Sequence, residues 1–239
     1  MKFIKTQNYE EMSIRACEIL INCLKRKPDA LFCIATGSSP TRAYQLFAQR
    51  VKEEKIDTSQ MRIIKLDEWC GLPLDSPSSC EAYIREHILE PLNISEDRYI
   101  SFNSLETDSQ LECKRIEQLL KDNGKIDCCV LGIGKNGHLG LNEPNDSLNP
   151  FIQKIELDEK TKTHTMLSSN KQEVTYGYTL GLKDILDSKE ILLLITGPGK
   201  DEAYEHLKEK SISSRHPANY LWLHNQTACI VDLACFIGD

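Results

Sequence analysis

No stretch of this 239-residue chain approaches the roughly 18 consecutive apolar residues of a membrane span, so a membrane-embedded class is not expected. Nor is there a Lys/Arg block to set against the net charge of -7, which argues against a broad nucleic-acid surface. A small anionic substrate held by a local cluster of donors stays open. The ten cysteines include no CxxC pair. Cys17 and Cys23 lie in a helical pattern, and Cys33, Cys128, Cys129 and Cys229 lie inside apolar strand patterns, where a free thiol behaves as a small hydrophobe. The N-terminus turns polar soon after Met1-Lys2-Phe3-Ile4 and does not read as a signal peptide. A reduced, cytoplasmic protein is therefore expected. Zinc-ligand spacing is missing too: His87, His164, His206, His216 and His224 are scattered. There is no internal repeat, low-complexity segment or linker.

What is present is an ordinary soluble composition, 40% hydrophobic and 27% charged, enough for a large core in one domain over residues 1–239. Strand and helix patterns alternate. Asn8 with Glu11 reads as a capping box opening a helix that carries Met12, Ala16, Ile19, Leu20, Cys23 and Leu24 on one face. The continuous apolar runs Ala30–Ala35, Met61–Leu66, Ile126–Leu131, Glu190–Thr196 and Thr227–Asp232 read as buried parallel strands. Helices are expected after Pro40, from Ser79 to a stop before Pro91, after a second capping box at Thr107 and Gln110, and from Asp201 to Glu209. The fold class that follows is α/β, a doubly wound, mainly parallel, Rossmann-like sheet with helices on both faces.

In such a sheet ligands bind beyond the carboxyl ends of the strands. Thr36-Gly37-Ser38-Ser39-Pro40 follows the first apolar run. It suits a phosphate at a helix N-terminus, or is an ordinary capped turn; the Gly-Lys-Ser/Thr ending of a Walker A loop is missing. Asp67 and Glu68 follow the second run and are open to metal binding, acid–base chemistry or simple solvation. The third is followed by Gly132-Ile133-Gly134-Lys135-Asn136-Gly137-His138-Leu139-Gly140-Leu141-Asn142-Glu143-Pro144, where His138 stands five residues before Glu143. Gly132, Gly134 and Gly137 have the GxGxxG spacing, but the polar His138 interrupts the expected helix start, so no dinucleotide is implied. Thr196-Gly197-Pro198-Gly199-Lys200 places a lysine at a helix start, where a cation is disfavoured unless an anion sits nearby. Together the four loops suggest proton transfer on a phosphorylated small molecule, without a cofactor.

These same segments, with Leu66-Asp67-Glu68-Trp69 and Gly197-Pro198-Gly199-Lys200, resemble the glucosamine-6-phosphate deaminase family in order and over most of the chain. The Lys-Asn-Gly-His-Leu-Gly-Leu-Asn-Glu-Pro wording is most similar to its galactosamine-6-phosphate isomerase branch. The resemblance implies aldose–ketose isomerisation of an amino-sugar phosphate with loss of ammonia, no cofactor, no metal and a homo-oligomer in many members. By position it implies Asp67 as the base at C2 and C1, and His138, oriented by Glu143 and Asn136, as the ring-opening group. Thr36, Gly37, Ser38, Ser39, Gly137 and Lys200 become contacts to substrate and phosphate, and Glu68 a supporting or capping group beside them. Two positions depart from the family pattern. Asn136 stands where the deaminases usually have Asp, and an amide carries no charge to set beside an imidazolium. No arginine occurs between residues 145 and 178, where the deaminases usually supply one to the phosphate. Lys154, Lys160, Lys162, Lys171 and His164 are the local substitutes, and Arg42 and Arg215 the distant ones, though lysine lacks the bidentate grip. The related 6-phosphogluconolactonases normally lack Asn-Glu-Pro at 142–144 and form the second reading. A non-catalytic sugar-phosphate sensor is the third.

Overall fold

The computed structural model describes residues 1–162, 165–167 and 174–236. Seven strands form one parallel sheet: β1 (Lys2–Thr6), β2 (Leu31–Ile34), β3 (Arg62–Lys65), β5 (Tyr99–Ile100), β6 (Cys128–Gly132), β9 (Glu190–Ile195) and β10 (Thr227–Asp232), in the order β1-β10-β9-β6-β2-β3-β5. Three more, β4 (Asp67–Trp69), β7 (Gln153–Glu156) and β8 (Tyr176–Thr179), make a small antiparallel sheet in the order β4-β8-β7. The helices are α1 (Tyr9–Arg26), α2 (Ser38–Glu53), α3 (Cys80–Ile84), α4 (Glu90–Leu92), α5 (Ser109–Asn123), α6 (Glu159–Lys162), α7 (Leu182–Leu186) and α8 (Asp201–Lys208).

The apolar runs behave as their composition requires. The residues of β2 are all buried, because a parallel strand in mid-sheet is covered on both faces. One layer packs Met12, Leu20, Tyr44, Phe47 and Ile88 of the first helices against Phe32, Ile63 and Val130. The opposite layer packs Ile116, Ile185 and Leu207 against Cys33, Leu131 and Leu193. The doubly wound reading holds, with helices on both faces. All ten cysteines are free thiols. Among the described residues no helix is long and apolar enough to cross a membrane.

Several local expectations are corrected. The edge strand β1 was not anticipated: Lys2 and Lys5 break its apolar character, and it is held by pairing with β10. The small antiparallel sheet was also unforeseen, since Gln153–Glu156 is half polar and Asp67–Trp69 is only three residues long. Asp108, not Thr107, caps α5, accepting from the amides of Gln110 and Leu111 at 3.0 Å each. The helix opened by Ser79 does not stop before Pro91. It passes through a π-helical turn, Arg85–Leu89, and ends after α4 at Asn93, whose φ of 54° is left-handed. The wider turn is where a proline, which has no N–H to give, is accommodated.

Order in the parallel sheet reverses between β2 and β6, so their carboxyl ends flank a crevice. On one side of it the chain leaves the main sheet after Leu66, whose amide still donates to Ile34 O (3.1 Å), and enters β4. A buried charge cluster fixes that departure. Lys65, wholly inaccessible, donates to Glu68 Oε2 (2.7 Å) and Glu81 Oε2 (2.8 Å). Glu68 also accepts from the amides of Trp69 (2.8 Å), Cys80 (2.9 Å) and Glu81 (2.9 Å), so it caps α3 with its charge. Tyr99 Oη donates to Glu81 Oε2 (2.9 Å) and Arg85 pairs with Glu81 Oε1 (2.9 Å). Burial works to lower the proton affinity of Lys65, but the two carboxylates outweigh it and hold the ammonium above the ordinary lysine value. Removing the cation alone leaves two buried carboxylates facing each other. Lys65→Ala is therefore expected to cost about 3–5 kcal/mol in urea unfolding; a loss below about 1 kcal/mol, the scale of a surface pair, would show that the cluster is not dry.

Candidate active site

A cavity of about 260 Å³ opens in this crevice, sized for a small molecule rather than a polymer. Its walls come from the loop after β2 (Thr36, Gly37, Ser38, Ser39), from Asp67, from the loop after β6 (Asn136, His138) and from the loop after β9 (Thr196, Lys200).

At one end lies the start of α2. Gly37 is its N-cap with φ 94°, a conformation open to glycine and strained for other residues. Among the described residues no side chain caps this helix, and Pro40 has no N–H, so the amides of Ser38 and Ser39 remain for an anion. The turn is held from behind, where Tyr9 Oη donates to Ser38 O (2.6 Å) and Tyr83 Oη to Gly37 O (3.0 Å). Lys200, the residue at the N-cap of α8, donates from Nζ to Ile133 O. Its proton affinity falls to about 8, first through burial and then through the charge of Lys135.

Acid–base groups occupy the other walls. Asp67 is pushed up to about 7, first by burial and then by the charge of Glu68; His138, Lys65 and a hydrogen bond from Cys80 only partly offset this. Cys80 Sγ donates to Asp67 Oδ1 (3.8 Å) and accepts from Thr36 Oγ1 (3.5 Å). His138 Nδ1 lies 3.0 Å from Glu143 Oε2. The same oxygen accepts from Asn136 Nδ2 (2.8 Å), and Thr161 Oγ1 donates to Glu143 Oε1. Burial works to raise the Glu143 carboxyl, but its bond to His138, that ring's charge, and the Thr161 and Asn136 bonds outweigh it, leaving it below the ordinary glutamate value. With Nδ1 turned to Glu143, His138 presents Nε2 as its other working nitrogen. Gly134 is required by close approach: a Cβ there would meet the His138 ring at 2.5 Å. Asn142, fully buried, ties the loop's end down through Leu139 O and Leu180 O at 2.9 Å each.

Of the residues singled out in the sequence, Thr36, Gly37, Ser38, Ser39, Asp67, Asn136, His138 and Lys200 line the cavity. Glu143 stands directly behind His138. Glu68 and Gly137 are not on the wall: Glu68 is consumed by Lys65 and α3, and the carbonyl of Gly137 takes the amide of Ala218 (2.9 Å). The distant arginines are committed elsewhere, Arg42 to Glu10 (2.7 Å) and Arg215 to Asp146. Lys154 lies over the ring of Tyr176. His164, Lys171 and the side chain of Lys160 are outside the described residues. Lys135, Thr161 and Cys80 also line or support the site and were not foreseen. Lys135 sits inside the glycine-rich run, whose place after a strand is the signal that could have pointed to it; Thr161 and Cys80 belong to no motif. Among the described residues, no group of three or more His, Cys, Asp or Glu is placed to hold a metal ion.

Comparison with known proteins adds to this geometry. Residues 5–230 match the profile of a family described as glucosamine-6-phosphate isomerases/6-phosphogluconolactonase. The AgaI protein of Escherichia coli (strain K12), whose name says deaminase but gives no substrate, is 43% identical over 95% of this chain and 90% of its own length. Glucosamine-6-phosphate deaminase 1 of Bacillus subtilis (strain 168) is 35% identical over 97% of each. A solved structure described as a monomeric glucosamine-6-phosphate deaminase superposes with a TM-score of 0.93 at 34% identity, covering 98% of this chain and 99% of its own. The 6-phosphogluconolactonase of Plasmodium vivax aligns with a TM-score of 0.76 at 16% identity, over 97% of this chain and 89% of its own, a likeness of fold alone.

The raised proton affinity of Asp67 carries a stability consequence. Its carboxyl ionises near 4 in the unfolded chain but near 7 in the fold, so the native state loses stability as pH rises through that window. Asp67→Asn removes the cost. The variant's melting temperature should equal that of the wild type below about pH 4 and exceed it by pH 8; an equal or lower value at pH 8 would contradict the assignment.

Proposed function

Because the chain belongs to the glucosamine-6-phosphate isomerase/6-phosphogluconolactonase family, we propose that its cavity converts a hexosamine 6-phosphate to the ketose 6-phosphate and ammonia. The observation that carries this reading is the pairing, in one cavity, of an anion-binding turn with two separate acid–base groups, Asp67 and the Glu143-backed His138. A lactone hydrolysis needs no base at a carbon acid, and simple binding needs neither group.

The steps follow from the chemistry of the groups. The phosphate docks at Ser38, Ser39 and Lys200. His138 takes the proton of the anomeric hydroxyl and gives one to the ring oxygen, opening the sugar to its aldehyde. Glu143 holds the imidazole in register and stabilises the transient imidazolium; Asn136 steadies Glu143 without adding a second charge beside it. Asp67, ionised, removes the proton from C2, whose acidity is raised by the aldehyde and the ammonium. The ammonium passes a proton to the former aldehyde oxygen, and the resulting enolamine is protonated at C1 by Asp67. That leaves an iminium at C2, to which water adds, and ammonia departs as the ketone forms. One water is consumed for each ammonia released. C1 is reduced as C2 is oxidised within the substrate, so no external oxidant or reductant is consumed.

A carboxylic acid with a proton affinity near 7 suits this duty, since at neutral pH it is a stronger base than an ordinary aspartate and gives the proton back readily. Galactosamine 6-phosphate and glucosamine 6-phosphate should be assayed separately for ammonia and for ketose phosphate in the same samples. One epimer should yield the two products in equal amounts, with kcat/KM falling tenfold per pH unit below about pH 7. Asp67→Asn should lose both products together by about three orders of magnitude or more. Ketose without ammonia, or no turnover by folded protein, would contradict the proposal.

A further inference from the structure

Two lysines from different loops reach the anion end of the cavity, Lys200 after β9 and Lys135 after β6. Their proximity is visible at Gly199, where an added Cβ would stand 3.4 Å from Lys135 Cδ and Cε and 3.7 Å from Nζ. These are ordinary van der Waals distances, and they place the Lys135 stem along the β9 loop beside Lys200. Among the described residues neither ammonium makes an ion pair with a carboxylate, in contrast to Lys27, Lys65 and Lys189, which pair with Asp127 or with Glu68 and Glu81. Among the described residues Lys200 Nζ donates to the Ile133 carbonyl alone. Two like charges held together over an uncapped helix start raise the energy of the empty site, and a bound dianion relieves it.

Arg42 and Arg215 are engaged with carboxylates, and Lys154 rests on Tyr176. We infer that Lys135 is the second cationic ligand of the substrate's phosphate, acting with Lys200 and the Ser38–Ser39 turn in place of an arginine. The inference rests on the sugar-phosphate reading for its ligand, but not on turnover. It follows that phosphate recognition in this chain depends on two point charges without a bidentate fork.

A surface lysine would behave differently in three respects. First, inorganic phosphate binding, followed by calorimetry and thermal shift at pH 7, should weaken about tenfold in Lys135→Met and recover in Lys135→Arg. Second, KM for the hexosamine phosphate should rise by a similar factor while kcat stays within about twofold, since the contact is the same in substrate and transition state. Third, the groups facing Lys200 are Lys135 and, from the C-terminal turn, Cys235. Removing the Lys135 charge should therefore move the alkaline limit of sulfate binding (sulfate does not titrate in this range) upward from about 8. Wild-type protein that binds no phosphate, or phosphate affinity unchanged in Lys135→Met while Lys200→Met loses it, overturns the inference. Should the wild type turn over no hexosamine phosphate while Lys135→Met still weakens phosphate binding, the two-lysine site stands and the substrate reading falls.

Discussion

A single carboxylate, that of Glu68, holds the geometry from which the site is built. It is wholly buried, and a buried anion persists only if its lone pairs are filled. One ammonium and three amides fill them, and these four donors come from three different pieces of the local architecture. Lys65 is the end of β3, Trp69 the end of β4, and Cys80 and Glu81 the first turn of α3. The anion thus joins the main sheet, the small sheet and a helix at one point. Asp67 is its neighbour in sequence and cannot move independently of it. The same arrangement sets the chemistry: burial and then the negative charge of Glu68 next door make Asp67 a reluctant carboxylate, which the charges of His138 and then Lys65 partly offset.

The crevice divides into two ends with different physics. At the anion end, helix-start amides and lysines offer positive potential without a fixed counter-charge. At the reacting end, each acid–base group has a partner behind it: Glu143 behind His138, and Cys80 with the Glu68 cluster behind Asp67. Glu143 in turn is satisfied by Asn136 and Thr161, so its charge is oriented rather than free. An amide at 136 matters here. A carboxylate in that place would lie against Glu143 and compete with it for protons, whereas the amide donates.

Much of this was legible in the residues, for reasons that differ by element. Strands β2, β6, β9 and β10 are buried on both faces and so appear as unbroken apolar runs. Strand β1 does not, because an edge strand tolerates Lys2 and Lys5; nor do β7 and β8, whose stability comes from pairing rather than from hydrophobic pattern. Pro91 misled because a π-helical turn absorbs it. In the site, glycine-rich and helix-start segments announce themselves through unusual residues at strand ends, which is how His138, Asp67, Lys200 and the Ser38–Ser39 turn were found. Glu68 reads in the sequence as part of an acidic pair open to metal binding, acid–base chemistry or solvation, and by resemblance as a supporting or capping group; nothing in the local sequence shows that Lys65 is buried beneath it. Thr161 and Cys80 reach the site only through tertiary folding, from positions without any pattern of their own.

The central claim is that one carboxylate, Asp67, carries a proton from C2 to C1 across one face of an enolamine. The most direct measurement supplies hexosamine 6-phosphate deuterated at C2 and follows the label by NMR in the ketose phosphate formed in ordinary water. The account predicts a primary isotope effect, with deuterium at C1 in one stereochemical position and in less than full amount, because a carboxylic acid near pH 7 exchanges with solvent between the two transfers. Complete retention of deuterium at C1 would mean direct hydride migration, and a C1 that carries no deuterium at all would mean protonation from bulk water; either result contradicts Asp67 as the shuttle.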